Sequence, residues 1–487
     1  MKEFARSVVA GGGLSGLTAA ALLASEGMNP VVLERNWIPG GCATSYPRKQ
    51  VVFESGATTL VGLDEGMALH TLLNKLRINL PAIPLEIPMQ VRLPGGEIIT
   101  RHNNREAWIT EAERVFGKKG QREFWEFNFR LSDFVWRVSG RYLHFPPSSL
   151  GDLLALARGI QVSDLPYLRY SFTSVHDVLV RYGLAHNRSF VAFCNEQLLI
   201  SAQNHVTEVN ALFGAAALCY TQLGNYYLTG GMRALTDALT AYINANGGRV
   251  LCRTQVGQIV RSAGFGFEVD AGNITYQTPL LFSALPLNNL YELDRTGKAH
   301  RYARYLLKPE NLYSAFQVGV YFRSQKRFSC LHHQIHLKHL FPGTGASSLF
   351  VSLSHPDDRL RCPGGYYVAS VSMHIRNPHQ HLNTEKSVME AAVLDVLSEN
   401  GFFQRDDVVY LHASGPKSWE KWTGRKWGFV GGYPQFMGVK PWQMKDARHP
   451  LKGFYLCGDS VYPGQGIPGV VLSGMIAVEK ARTDGFL

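Results

Sequence analysis

Cysteine, charge and long apolar runs are all scarce in this chain, and each scarcity excludes something. Seven cysteines stand among 487 residues, an odd number at irregular spacing, and none forms a C-x-x-C pair. That argues against a disulfide framework and for reduced thiols in a cytoplasm. Charged residues make up 18% against 45% hydrophobic, so a sizeable core can be buried and global disorder is excluded. A net charge of +11 comes without any run of five basic residues and without a nucleic-acid motif. Nucleic acid is therefore not an expected partner, whereas an anionic membrane surface is compatible with the charge. The longest nearly apolar stretch, Ala211 to Tyr220, falls far short of the roughly 20 residues that span a bilayer. Met1 to Ser7 carries neither the apolar core of a signal peptide nor an Arg-rich, acid-poor transit segment. The expectation is a cytoplasmic protein that crosses no membrane and lies peripherally on the inner face of one. Internal repeats and low-complexity tracts are also missing, and at roughly 100–200 residues per domain the length allows two or three domains.

What is present begins at once. Ser7 to Ala10 reads as a short buried strand, Gly11 to Gly13 as a turn, Leu14 to Gly27 as an Ala- and Leu-rich helix, and Val31 to Leu33 as a second strand ending at Glu34. This is a βαβ unit with a parallel strand pair. Gly11-x-Gly13-x-x-Gly16 sits between strand and helix. Gly11 permits the tight turn, Gly13 lets the backbone approach a pyrophosphate, and Gly16 lets helix and strand pack closely. Phosphates then rest on the helix N-terminus. Glu34 can accept hydrogen bonds from a ribose diol. Strand, turn, helix, strand and acid together predict dinucleotide binding. Pro39-Gly40-Gly41 follows directly and predicts a loop whose backbone lies against the cofactor.

The nucleotide fold is revisited later in the chain. Gly247-Gly248 stops a helix over Arg233 to Asn246, and a strand-forming region spans Arg249 to Ile259. Near the C-terminus, Phe454 to Leu456 leads into Cys457-Gly458-Asp459-Ser460 and the turn Pro463-Gly464-Gln465-Gly466 before a final helix. Gly458 permits close approach, and Asp459 can bond a cofactor hydroxyl such as the ribityl chain of a flavin. The predicted fold class is α/β, with a Rossmann-like dinucleotide-binding domain over residues 1–75, 225–290 and 445–487. A discontinuous α+β substrate domain takes residues 76–224 and 291–444 and contains a candidate membrane-docking segment.

Gly11 to Glu34, Ile38-Pro39-Gly40-Gly41 and Cys457-Gly458-Asp459-Ser460 with Pro463 to Gly466 resemble the phytoene desaturase, carotenoid isomerase and retinol saturase family. Tyr227 to Val256, with Gly230-Gly231-Met232, is similar to the middle of these flavoproteins. The resemblance implies FAD as cofactor, with contacts from Gly11, Gly13, Gly16, Glu34, Gly40, Gly41, Gly458 and Asp459. It also implies a backbone contact from Val256, in the strand after Gly247-Gly248, to the adenine. It further implies a carotenoid or other isoprenoid polyene as substrate, to be desaturated, saturated or isomerised. The sequence departs from the family at Cys42-Ala43-Thr44, where many desaturases carry Arg, and at Phe53-Glu54-Ser55-Gly56, where Asp is usual. Thr423-Gly424-Arg425 with Gly431-Gly432 resembles the isomerase and saturase branch more. Two other readings share the nucleotide motifs: a flavin amine oxidase acting on a soluble amine, and a non-enzymatic lipid-binding scaffold like the GDP-dissociation inhibitors.

Three further features carry expectations. His332, His333, His336 and His339 cluster, but no carboxylate or cysteine completes a ligand set, so no metal is predicted. Lys417, Trp419, Trp422 and Trp427 are candidates to line a pocket. Tyr142 to Leu184 is the candidate docking segment: it mixes Phe145, Leu150, Leu153, Leu154, Leu156, Tyr167, Leu168 and Phe172 with Arg158, Arg169 and Arg181.

Overall fold

The computed structural model describes residues 1–487. Its first layer is a five-stranded parallel sheet in the order Arg249–Leu251, Pro30–Leu33, Ser7–Ala10, Leu281–Ser283, Phe454–Leu456. These strands come from the start, middle and end of the chain. Helix Leu14–Ser25 is buried along nearly its whole length, which suits its Ala-rich surface. It packs against helices Arg233–Ala245 and Ile467–Thr483. A four-stranded sheet (Lys2–Phe4, Ile274–Thr278, Gly266–Ala271, Gln258–Ser262) lies alongside.

The second layer is a seven-stranded sheet in the order Val408–Ser414, Tyr313–Arg323, Tyr366–Arg376, Ser348–Leu353, His332–His336, Met89–Arg92, Ile98–Arg101. It is antiparallel except where His332–His336 meets Met89–Arg92. Period-2 alternation divides its faces. Phe316, Val318, Val320 and Phe322, with Val371, Met373 and Ile375, pack on helix Lys386–Glu399 through Met389, Val393 and Leu397. The intervening residues Ala315, Gln317, Ser372 and His374 turn to the opposite face, where they line a cavity. Helices Arg105–Phe116, Gln121–Arg141, Arg188–Ser201 and Ala211–Leu218 form an aromatic-rich core beside this sheet.

Two sequence expectations need correction. Arg249 to Ile259 is not one strand: Arg249–Leu251 belongs to the parallel sheet and Gln258–Ser262 to the four-stranded one. The chain leaves the first sheet at Arg253, whose φ is 58°, and Arg253 N and Thr254 N donate to Asn36 O (2.8 Å) and Glu34 O (2.8 Å). Val256 therefore lies in the connector, buried, rather than in a strand. The helical stretch Glu106 to Ser132 is two helices, broken between Gly117 and Gly120, both with positive φ. No helix is long and apolar enough to cross a membrane.

A buried charge network joins the layers. Glu54, Tyr227, Asp358 and Arg361 are all buried. Arg361 lies 3.4 Å from Glu54 and donates to Val52 O (3.1 Å) and the Tyr227 hydroxyl (3.4 Å). Tyr227 donates to Asp358 (2.7 Å). Glu54 accepts from Ser45 Oγ (2.7 Å) and Met232 N (3.2 Å). Burial pushes the Glu54 carboxyl up, against the pull of the Arg361 guanidinium and these two donors. Arg361→Met leaves that carboxylate without its cation, and an uncompensated buried charge costs about 3–5 kcal/mol. Urea unfolding is expected to show a loss of that order. It is also expected that Glu54→Gln adds less to Arg361→Met than its effect alone, because the two side chains share one interaction.

Candidate active site at the junction of the two sheets

The glycine loop is built around Glu34. Gly11 N donates to Leu33 O (2.9 Å), which bends the first strand's exit toward the second. Gly12 N and Asn36 N donate to Glu34 Oε2 (2.9 Å) and Oε1 (2.7 Å). A carboxylate has about four lone-pair sites, so both oxygens retain capacity for a ribose diol. Burial raises the Glu34 carboxyl, opposed by those two amides. The second glycine loop docks on the first: Gly40 N donates to Gly12 O (2.7 Å), and Gly13 and Gly40 form a parallel bridge.

The C-terminal element closes the group. Gly458 N donates to Ser473 Oγ (3.0 Å) in the final helix, and Gly458 packs close to Ser15 in the first. Asp459 follows, and its carboxylate is held by Arg425 through two bonds of 3.2 and 2.7 Å. Burial raises the Cys42 thiol beside this pair, with Arg425 pulling the other way. Gly11, Gly13, Gly16, Glu34, Gly40, Gly41, Gly458 and Asp459 are thus gathered into one region, and Val256 lies in the connector that hydrogen-bonds to Glu34 O.

The residues fit a dinucleotide. Gly13 is the N-cap of helix Leu14–Ser25 and supplies no side-chain acceptor, so the first-turn amides are free for an anion. A Cβ at Gly13 would meet nothing within 4 Å. A Cβ at Gly16 would lie 2.1 Å from Gly11 O, so that glycine serves the protein's own packing.

From this region a cavity of about 410 Å³ extends between the layers. Its walls include Cys42 and Ala43 from the glycine loop, Trp136 and Phe213 from the helices, Phe350 from the second sheet, and Gln465 and Ile467 from the C-terminal element. Asp459 is the one carboxylate that lines it, and Arg425 already holds that group. Burial lowers the pKa of His374, on its floor, and so favours the neutral imidazole, with Glu196 pulling the other way. Trp419 lines the cavity as expected, its Nε1 donating to Ala315 O (3.0 Å). Trp422 instead packs against Trp37 and Tyr46, and Lys417 faces a separate polar hollow. His332 bonds Thr59 (3.1 Å) and Ser352 (2.9 Å), which accounts for both ring nitrogens. His339 lies outside that strand and is exposed.

Sequence reasoning missed Arg425 as the partner of Asp459. It also missed the cavity floor, although the alternation Val371-Ser372-Met373-His374-Ile375 carries its signal, and it missed Gln203 and Gln435 among the lining residues.

The signature of the family described as flavin containing amine oxidoreductase matches residues 14–481. A chloroplastic prolycopene isomerase from an Oncidium hybrid cultivar is 22% identical over 98% of this chain and 84% of its own. A 4,4'-diapophytoene desaturase from a Methylomonas species is 23% identical over 97% of this chain and 94% of its own. Among solved structures, a putrescine oxidase variant superposes with a TM-score of 0.67 at 14% identity, covering 99% of this chain and all of that one.

Gly13→Ala and Gly16→Ala are expected to separate cofactor contact from packing. Gly13 has φ −65°, so an alanine fits the protein itself. The Gly13→Ala apoprotein should unfold at the wild-type temperature yet bind FAD more weakly. Gly16→Ala should lower both, because its methyl collides with Gly11 O. Calorimetry of apoprotein alongside flavin titration checks the contrast.

Proposed function

The chain belongs to the family of flavin-containing amine oxidoreductases and is an FAD-dependent oxidoreductase; from that premise we propose that it acts on an isoprenoid polyene of the carotenoid class, by desaturation, saturation or cis-trans isomerisation. The observation that carries the substrate class is the character of the cavity. It abuts the glycine loops, its walls are largely apolar, and its one carboxylate is neutralised by Arg425. A soluble amine binds as a cation and is held best by a carboxylate free to pair with it, and here Arg425 already takes the one carboxylate of the lining. A hydrocarbon needs the reverse, a shaped apolar space without free charge, and burial favours the neutral form of His374. The isomerase and desaturase relatives are consistent with this reading. When bound, the flavin supplies the hydride chemistry. We assign its binding to residues 1–75, 225–290 and 445–487, with Gly11, Gly13, Glu34, Gly40, Gly41, Val256, Gly458 and Asp459 as contacts and Gly16 as the close packing that shapes the loop for them. Residues 76–224 and 291–444 form the substrate domain in this reading, and their walls orient the chain of double bonds and exclude water.

A polyene dissolves in bilayers, and the segment after helix Gln121–Arg141 supports docking on one. Helix Leu150–Gly159 is inverted relative to an ordinary surface helix. Its inward residue Asp152 is fully buried, whereas Leu150, Leu153 and Leu154 are 73%, 53% and 50% exposed. Asp152 is held by Arg448 and by Lys480 (3.4 Å), and Lys480 also donates to Pro146 O (2.6 Å). Burial would raise the Asp152 carboxyl, but Arg448, Ser148 N and Lys480 outweigh it and hold it at about 2. The apolar face continues through Ile160, Val162, Leu165, Leu168 and Phe172, and Phe172 meets the exposed Trp442 at 5.6 Å. Leu156 is buried, and Tyr167 is stacked on Phe134 (4.4 Å), so neither joins this face. Exposed patches of this kind mark interaction surfaces. Arg158 and Arg169 flank it and suit anionic head groups.

Two outcomes are expected. Expression in a carotenoid-producing host should change the number or geometry of double bonds in the extracted pigments, read by chromatography, and Asp459→Ala should abolish the change. If amines rather than polyenes bleach the bound flavin, the substrate assignment fails. In flotation with anionic vesicles, the wild type should float at low salt and detach as salt screens charges within about 10 Å at 0.1 M. Leu153→Glu with Val162→Glu should stay at the bottom while unfolding normally, since exposed substitutions shift stability by only about 0.5 kcal/mol.

A further inference from the structure

Where the cavity meets the C-terminal element, three glutamines line it: Gln203, Gln435 and Gln465. Gln203 is buried, and its backbone sits in the left-handed region at φ 52°. Residues other than glycine rarely adopt that conformation, and those that do concentrate at functional sites. Gln203 Nε2 donates to Val430 O (2.9 Å), which fixes the orientation of the amide. Its other end, Oε1, is buried and has no partner. The neighbouring Gly431 makes this placement sterically accessible, since a Cβ there would lie 1.7 Å from Gln203 Nε2.

Gln435 is fixed through its backbone: its N donates to Ala202 O (3.0 Å) and its carbonyl accepts from Asn204 Nδ2 (2.9 Å). Its side-chain nitrogen donates to Gln465 Oε1 (3.4 Å). Gln465 Nε2 is then left as a buried donor without a partner. An orphan acceptor and an orphan donor thus line one end of a single cavity, whose helical wall carries a second orphan donor, Trp136 Nε1. Native proteins pair nearly all buried polar atoms, so such a pair needs an explanation. A hydrocarbon polyene offers neither a donor nor an acceptor. The pyrimidine side of a flavin ring offers both, an N3–H flanked by two carbonyl oxygens.

We propose that Gln203 Oε1 and Gln465 Nε2 hold the imide edge of the flavin ring, Gln203 accepting from N3–H and Gln465 donating to one of the flanking carbonyl oxygens. This rests on the FAD assignment and adds two positioning residues to it. Gln203 selects for a ring that carries the N–H. Gln465 stabilises the electron-rich reduced ring, because reduction loads negative charge onto that edge and a donor there favours it.

The test uses the full-length protein stripped of flavin and reloaded with FAD or with N3-methyl-FAD. Wild type is expected to bind FAD roughly tenfold more tightly than the methyl analogue, the scale of one lost hydrogen bond. Gln203→Leu should close most of that gap while still binding FAD. Gln465→Leu should lower the two-electron reduction potential by about 30 mV, equivalent to a tenfold weaker preference for the reduced ring. The wild-type comparison needs no substitution, so a variant that fails to fold does not remove the test. Equal affinity of wild type for the two flavins overturns the proposal. So do variants with unchanged discrimination and potential but altered turnover of polyene, which would turn the amides toward substrate; in either case FAD binding itself stands. Failure of wild type to take up either flavin would instead overturn the cofactor assignment, and the proposal with it.

Discussion

The carboxylate of Glu54 is the constraint on which the two-layer arrangement depends. It follows the second glycine loop by a short hairpin and is buried where the layers meet. Its oxygens reach Ser45, Met232 N and Arg361, and its own carbonyl accepts from Gln317 Nε2 (2.8 Å) on the cavity floor. One residue thus ties the loop beside the cofactor groove, the helix Arg233–Ala245 and the second sheet. The spacing between loop and floor sets the width of the cavity. A buried ion pair is weak evidence for net stability but can fix how elements register, and here the elements registered are the walls of the site. Gly231 packs against Ser45 and Glu54 where a side chain would collide, which explains the glycine directly before Met232.

The same principle runs in reverse at the molecule's edge. Asp152, Arg448, Lys480 and Asp446 form a second inward charge cluster, and it turns the leucines of helix Leu150–Gly159 outward. The helix follows directly from Gln121–Arg141, which contributes Val135, Trp136 and Ser139 to the cavity wall. Surface and cavity are therefore neighbours along the chain.

Between these two anchors the chemistry of the cavity is set by restraint. Its acidic group is paired, burial favours the neutral form of its imidazole, and its thiol is pushed up by burial. Charge is kept out of the reaction space, which suits the apolar substrate proposed above. The free amides of Gln203 and Gln465 stand out against that background.

The βαβ unit, its glycines, Glu34 and the terminal Gly458-Asp459 were legible in the sequence because their roles are local. A turn, a helix N-terminus and a strand end are each specified by residues a few positions apart. The breaks in the region 249–259 and between residues 117 and 120 were not, since a strand or helix pattern does not say which sheet it joins or where a left-handed residue ends it. The cavity floor was half-legible: alternation marks two faces, but only the packing of helix Lys386–Glu399 decides which face is covered. Arg425 with Asp459, Glu54 with Arg361, and Gln203 with Gly431 join residues 34, 307 and 228 positions apart. Such pairs leave no spacing to read, because their geometry exists only after both layers have closed. The sequence by itself therefore determined the cofactor class through short-range backbone chemistry. The tertiary structure alone decided the shape of the reaction space, which polar groups are neutralised and which face of helix Leu150–Gly159 turns outward.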